Sequence, residues 1–294
     1  MARNRPMKGK ASFDDVYDQP DPRAFAQALA PLDYQIPEHG RAVFRRLVEV
    51  LRERDEGQPF SLVDLCTSYG VNPALLNHEV VLAELYARYR SPELADLATE
   101  DLQLADKRFF ADRRRADAVH AIGLDVAANA IQYADRVGLL DVAAAENLEE
   151  RDPSPELARA LADARLVTVT GGMSYVTAAT FDRVLGAARV AEPPWVAAFA
   201  LRGVDMRPIE EALQRHGLVT ERFTPRTFPQ RRFASDHEQE QVLTHLRDQG
   251  IDPDGVESDG FLHAWLYVAR PRSAVDEQPL EGLLAGLEDE AGPR

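Results

Sequence analysis

The run Phe60-Ser61-Leu62-Val63-Asp64-Leu65-Cys66-Thr67-Ser68-Tyr69-Gly70 decides the fold of this chain. Its first half is short, apolar and free of the strict alternation of a half-solvated strand, so it reads as a strand covered on both faces. Its second half turns to small and polar residues and closes on a glycine, which reads as a loop at the strand's carboxyl end.

Toward the amino terminus, Pro22 to Leu29 reads as a short helix among Pro20, Pro22, Pro31 and Pro37. Glu38 to Glu53 then places Val43, Leu47, Val50 and Leu51 on one stripe. Toward the carboxyl terminus strands and helices alternate. Ala118–Leu124, Leu139–Ala145, Leu166–Thr170, Trp195–Leu201, Leu218–Phe223 and Phe261–Ala269 are strand candidates. Helices are expected over Ala127–Val137, from Ser154, Thr177–Ala188, Ile209–His216 and from Ser235 to Asp248. This alternation predicts an α/β fold, a Rossmann-like doubly wound sheet. Residues 72–116 break the rhythm, being helical in pattern where a crossover helix needs about a dozen residues. They are read as a helical insertion after the first strand. The expected organisation is a disordered start (1–14), an amino-terminal lid and helix (15–58), the Rossmann-like domain (59–270) and an acidic flexible tail (271–294).

Of the 294 residues, 34 are Lys or Arg and 49 are Asp or Glu, a net charge of −15 that opposes nucleic acid as a partner. The basic runs Arg113-Arg114-Arg115 and Arg231-Arg232 read as solvated faces. No apolar run is long enough to span a membrane, and the basic start lacks the apolar core of a secretory signal. Cys66 has no second cysteine to pair with, which fits a cytoplasmic protein. The histidines at 39, 78, 120, 216, 237, 245 and 263 show no i, i+4 pair; they read as lone surface residues, and no metal is expected.

Val63-Asp64-Leu65-Cys66 leading to Tyr69-Gly70 resembles the first motif of class I S-adenosylmethionine-dependent methyltransferases. The run Ile122-Gly123-Leu124-Asp125-Val126-Ala127-Ala128-Asn129-Ala130-Ile131-Gln132-Tyr133-Ala134 resembles their second. Ala143-Ala144-Ala145-Glu146-Asn147-Leu148 is similar to the turn that lines the adenine. Ala164 to Gly172 is similar to the strand that ends beside the methionine part and the acceptor. The four stand in the family's order within 60–269. The family's Gly-x-Gly-x-Gly loop survives here only as Gly70, with Cys66, Thr67 and Ser68 in place of the rest. Cys66 reads as a small buried filler rather than a nucleophile.

The resemblance implies S-adenosylmethionine as cofactor. Its binding set here is Asp64, Cys66, Ser68, Tyr69, Gly70, Asp125, Val126, Glu146, Asn147, Thr170 and Gly171. A carboxylate at the end of the second strand suits Asp125 to both ribose hydroxyls. Asp64 is expected to orient the amino-acid end, and Glu146 with Asn147 to meet the adenine amino group. Tyr175, after the fourth strand, with Tyr34 and Tyr17 on the lid, are the candidate catalytic aromatics, because rings stabilise a sulfonium and exclude water. The expected activity is methyl transfer to a small-molecule acceptor. The alternatives are cyclisation or lysis of the ligand itself, releasing methylthioadenosine (azetidine-2-carboxylate type), and a non-catalytic binding module. The insertion is expected to wall the pocket or to form a homodimer contact through Leu82, Leu85, Tyr86 and Tyr89.

Overall fold

The computed structural model describes residues 9–287. Residues 1–8 of the expected disordered start and 288–294 of the expected tail lie outside the described residues. In chain order the elements are α1 (Asp14–Tyr17), α2 (Arg23–Leu29), α3 (Ile36–Arg54), β1 (Ser61–Leu65), α4 (Val71–Asn77), α5 (Leu82–Tyr89), α6 (Pro92–Ala95) and α7 (Thr99–Ala111). There follow β2 (His120–Asp125), α8 (Ala128–Arg136), β3 (Val142–Ala145), α9 (Pro155–Ala160), β4 (Ala164–Val169), α10 (Ala178–Ala187), β5 (Trp195–Leu201), α11 (Arg207–Arg215) and β6 (Leu218–Arg222). The chain closes with β7 (Phe228–Arg232), α12 (Asp236–Asp248), β8 (Phe261–Pro271), α13 (Arg272–Glu277) and α14 (Leu280–Leu283).

The sheet runs β3-β2-β1-β4-β5-β8-β6, with β7 also paired to β8. The pairs among β3, β2, β1, β4 and β5 are parallel, and β8 is antiparallel to its partners. This is the doubly wound, Rossmann-like order, with the strand order reversing between β1 and β4 while the strands stay parallel. Every residue of β1 is buried. Leu62 joins the apolar cluster under α3 and the insertion, and Val63 and Leu65 join the cluster under α10 and α11. Period-two alternation therefore points Asp64 to the α3 side, into a core. β8 instead alternates half-buried and buried residues over most of its length, as an antiparallel strand with one drier face does.

α4 to α7 form the helical insertion. Leu82, Leu85 and Tyr89 are buried within the chain, and the Tyr86 hydroxyl donates to the Tyr34 carbonyl at 2.8 Å. The expected dimer contact through these four residues is thus corrected: the apolar face of α5 is already covered by the lid and the core. α7 is anchored by Asp106, which is fully buried and accepts from Arg88 Nε (2.8 Å), the Tyr89 hydroxyl (2.8 Å) and the Tyr133 hydroxyl.

Several expectations need amendment. Residues 9–13 are ordered against the rest, with Ala11 N donating to Glu238 Oε1 at 2.7 Å. Residues 272–287 form α13, α14 and a final turn, because Leu280, Leu283 and Leu284 bury their side chains while the acidic residues face outward. β7 was not anticipated, since Pro229 and two arginines disguise it; the proline sits at a shift in register, where a strand tolerates one. Arg231 is 2% exposed rather than solvated, and His78 is buried against Phe110 rather than on the surface. Arg113, Arg114 and Arg115 do form surface ion pairs, with Glu84, Asp141 and Glu79 or Asp117. No helix among the described residues is long and apolar enough to cross a membrane.

Candidate functional site

The loop after β1 alternates in handedness. Cys66, Ser68 and Gly70 have φ of +55°, +49° and +75°, a region that only glycine enters without cost. The left-handed positions recur at every second residue, so the loop coils tightly and is stitched to β2. Thr67 N donates to the Leu124 carbonyl (3.3 Å), and Ser68 N donates to Asp125 Oδ2 (2.8 Å). Asp125 Oδ1 accepts from Ala127 N at 2.9 Å, which also fixes the start of α8. Each carboxylate oxygen keeps a lone pair for a further donor. Burial raises the Asp125 pKa despite these bonds.

Above this loop lies a cavity of ≈ 420 Å³ at the carboxyl ends of β1, β2 and β4, the crevice where doubly wound sheets hold ligands. Its floor includes Cys66, Ser68, Asp125, Thr170 and Gly172. Its roof is the lid, with Phe13, Tyr17, Phe25 and Tyr34. Phe25 centres the roof, its ring 5.5 Å from Tyr17, 6.3 Å from Tyr34 and 6.0 Å from Tyr69. The lid is tied down at both sides. Gln19 N donates to the Tyr69 hydroxyl (2.8 Å), and Asn129 N donates to Asp18 Oδ1 (2.8 Å). Tyr175 closes one side, 43% exposed, with the Lys10 ammonium 5.9 Å from its ring.

A polar relay runs inward from the cavity. Asn72, at the start of α4, donates to Thr170 Oγ1 (3.0 Å) and to Asp64 Oδ1 (2.9 Å). Thr168 also donates to Asp64 Oδ1 (2.8 Å), while Asp64 Oδ2 is buried without a hydrogen-bond partner. Burial outweighs the bonds from Asn72 and Thr168 and raises the Asp64 pKa to about 6. Burial likewise pushes up the Cys66 thiol and the Tyr17 and Tyr34 phenols. All three are neutral at ordinary pH, and Cys66 is a thiol rather than a nucleophilic thiolate.

The last wall is β7. The Gln230 carbonyl accepts from Gln35 N at 2.8 Å, joining β7 to the start of α3. Arg231 donates both Nη groups to the Glu238 carboxylate (3.0 and 2.6 Å), and its guanidinium sits 5.1 Å from the Phe13 ring. Burial opposes the Glu238 charge, but Arg231 and the amides of Ala234 and Ala11 hold its pKa below the usual range. The pair is therefore a neutral strut that clasps residues 11–13.

Of the residues singled out in the sequence, Cys66, Ser68, Asp125, Val126, Thr170, Gly171, Tyr17, Tyr34 and Tyr175 line the cavity together. Asp64 stands one layer behind, reached through Asn72. Four others do not reach the cavity. Tyr69 is buried, with its hydroxyl on the lid backbone, and Gly70 packs on Ala134 and Leu139. Glu146 accepts from the amide (2.9 Å) and hydroxyl (2.7 Å) of Ser154, and the Ser154 hydroxyl caps α9. Asn147 accepts from Glu149 N at 3.0 Å in a local turn. Phe13, Asn72, Gln230 and Arg231 line the cavity without having been anticipated. Only Asn72, two residues past the loop's glycine, stood close enough in sequence to be suspected. Among the described residues no group of His, Cys, Asp and Glu is arranged to hold a metal.

No protein-family description and no curated protein matches this chain. Among solved structures it is similar to YcgJ from Bacillus subtilis, with 11% identity and a TM-score of 0.41 over 76% of this chain and 97% of that one. It is similar to magnesium protoporphyrin IX methyltransferase from Synechocystis PCC 6803 with bound SAM, at 10% identity and a TM-score of 0.34 over 77% and 79%. The plantazolicin methyltransferase BpumL in complex with SAH gives 10% identity and a TM-score of 0.38 over 88% and 98%.

Proposed function

We propose that this chain binds S-adenosylmethionine in the cavity and transfers its methyl group to a small molecule. The observation that carries the reading is Asp125, held by the amides of Ser68 and Ala127 on the floor of an aromatic-roofed cavity. The residues present fit the ligand. The cavity of ≈ 420 Å³ lies within the range of about 300–1,000 Å³ common to small-molecule sites. Asp125 keeps lone pairs for the ribose hydroxyls, and Asn72 and Thr170 offer polar groups for the amino-acid end. Tyr17, Tyr34 and Tyr175 offer rings to a cation. When bound, the sulfonium supplies an already activated methyl group. The protein's share is alignment and exclusion of water, and neutral tyrosines under a closed roof serve both. An acceptor enters past Tyr175, the most exposed ring of the lining.

Titration of the protein with S-adenosylmethionine in a calorimeter tests the reading. Saturable binding is expected, and no heat at millimolar ligand overturns it. One feature favours a second reading. The cavity is roofed by the aromatic lid, which suits attack by the ligand's own amino group. Chromatography of the products separates the two: S-adenosylhomocysteine marks methyl transfer, and methylthioadenosine marks cyclisation or lysis. Binding with neither product marks a binding module.

A further inference from the structure

The cavity's roof has two halves that are held differently. Phe25, Leu29 and Tyr34 are buried and packed into the core. The other half is Lys10, Ala11, Phe13, Tyr17 and Asp18. Between residues 9 and 20 no described side chain is fully buried. A stretch with few buried apolar contacts belongs to the low-stability end of a structure, the part that opens first.

This half crosses the cavity as a strap. Its far end is fixed on α8, beside β2. There Asp18 Oδ1 accepts from Asn129 N (2.8 Å) and the Asp18 carbonyl accepts from Asn129 Nδ2 (3.0 Å). Gln19 N then donates to the Tyr69 hydroxyl (2.8 Å), and the chain runs on into α2. The near end rests on α12 and β7. Ala11 N donates to Glu238 Oε1 (2.7 Å), and the Phe13 ring faces the Arg231 guanidinium. Gly9 has a φ of +91°, and a Cβ there would stand 2.5 Å from Gln241 Cβ. The near end is the one able to let go. When Ala11 leaves, Glu238 keeps both Arg231 Nη groups and the Ala234 amide, so no buried charge loses its partner.

We propose that residues 9–18 are a gate, hinged at Asp18 and Gln19 and latched on α12, which opens to pass a ligand and closes when the ligand packs on Phe13 and Tyr17. The identity of the ligand rests on the S-adenosylmethionine reading; the latch does not. Hydrogen exchange on the full chain tests the latch. Without ligand, amides of residues 11–18 are expected to exchange at least about 100-fold faster than those of residues 26–29. Saturating S-adenosylhomocysteine should slow them at least about tenfold.

Gly9 lies outside the cavity lining, so Gly9→Ala strains the latch without touching the ligand. S-adenosylhomocysteine should then leave the immobilised protein about 10-fold faster in surface plasmon resonance. Strap amides as slow as those of α2 in the ligand-free protein overturn the gate. So does exchange that bound S-adenosylhomocysteine leaves unchanged, or an unaltered dissociation rate in Gly9→Ala. Absence of binding by both S-adenosylmethionine and S-adenosylhomocysteine overturns the underlying reading, while the ligand-free exchange still decides the latch.

Discussion

The hydroxyl of Tyr34 occupies the space in which a side chain at Gly171 would begin: a Cβ there would lie 2.5 Å from it. The lid and the carboxyl end of β4 are thus in contact through a glycine, and Phe25 packs edge-on against the Tyr34 ring, with centroids 6.3 Å apart. Gly171→Ala is expected to displace Tyr34 and cost about 1–3 kcal/mol, as overpacking does. Tyr34→Phe should return part of that loss in the double variant. Thermal unfolding of the four proteins in a mutant cycle measures the coupling, and strict additivity would refute the contact.

Asp125 has two tasks that substitution can separate. Asp125→Ala leaves the amides of Ser68 and Ala127 without acceptors and should lower stability by about 1–3 kcal/mol as well as ligand affinity. Asp125→Asn keeps one acceptor oxygen and should cost less stability while still weakening S-adenosylmethionine. Calorimetry beside urea unfolding checks both. A variant that loses stability but binds as before would remove Asp125 from the site.

Asp64 should leave a mark on the pH dependence of stability. Its pKa is raised from 3.8 to about 6 by burial, so between these values the folded state holds the proton more tightly than the unfolded chain. The burial cost of the charge is absent below about pH 4, grows as pH rises through this window and is complete above about pH 6. Asp64→Asn removes the charge and keeps the acceptor for Asn72 and Thr168. Its stability relative to the parent should gain on the order of 2–3 kcal/mol between about pH 4 and pH 8, given roughly 1.4 kcal/mol per pKa unit. Urea midpoints across that range measure the difference, in which the other titrating groups cancel. A difference that stays flat with pH would contradict the assignment.

Asp106 ties the helical insertion to α8. Asp106→Ala leaves the Tyr89 and Tyr133 hydroxyls and the Arg88 guanidinium without their shared acceptor and should cost about 3–5 kcal/mol. Tyr89→Phe, which removes one bond, should cost about 1 kcal/mol. Urea unfolding gives both values, and comparable losses in the two variants would deny the carboxylate its central place.

Much of the architecture was legible because it rests on local pattern. The apolar runs at Leu62–Leu65, Leu166–Val169 and Trp195–Leu201 are strands because both faces are covered, and 72–116 is helical because its apolar residues recur at helical spacing. β7 was not legible. Proline and paired arginines describe a loop unless Glu238, seven residues after Arg231, is known to fold back and take up the charge. Glu146 illustrates the converse, since a carboxylate in the turn after β3 is equally suited to Ser154 eight residues on, and the closer partner holds it. The carboxyl-terminal leucines were hidden by composition, because an acidic, glycine-bearing stretch gives no sign that α14 seats Leu280 and Leu283 in the core. The lid carrying Tyr17 and Tyr34 was expected, but the contacts that close it were not legible, for they join segments about 50 to 230 residues apart.

The left-handed backbone at Cys66 and Ser68 inverts the usual ranking of substitutions. In the middle of α3, glycine is the disruptive replacement and alanine the mild one. At 66 and 68, where φ is +55° and +49°, a Cβ is itself the source of strain, on the order of 1–2 kcal/mol per residue. Glycine there relaxes the folded chain without redirecting it, against a smaller entropic loss from the looser unfolded chain. An engineer seeking a sturdier protein would begin by inserting glycine into this loop.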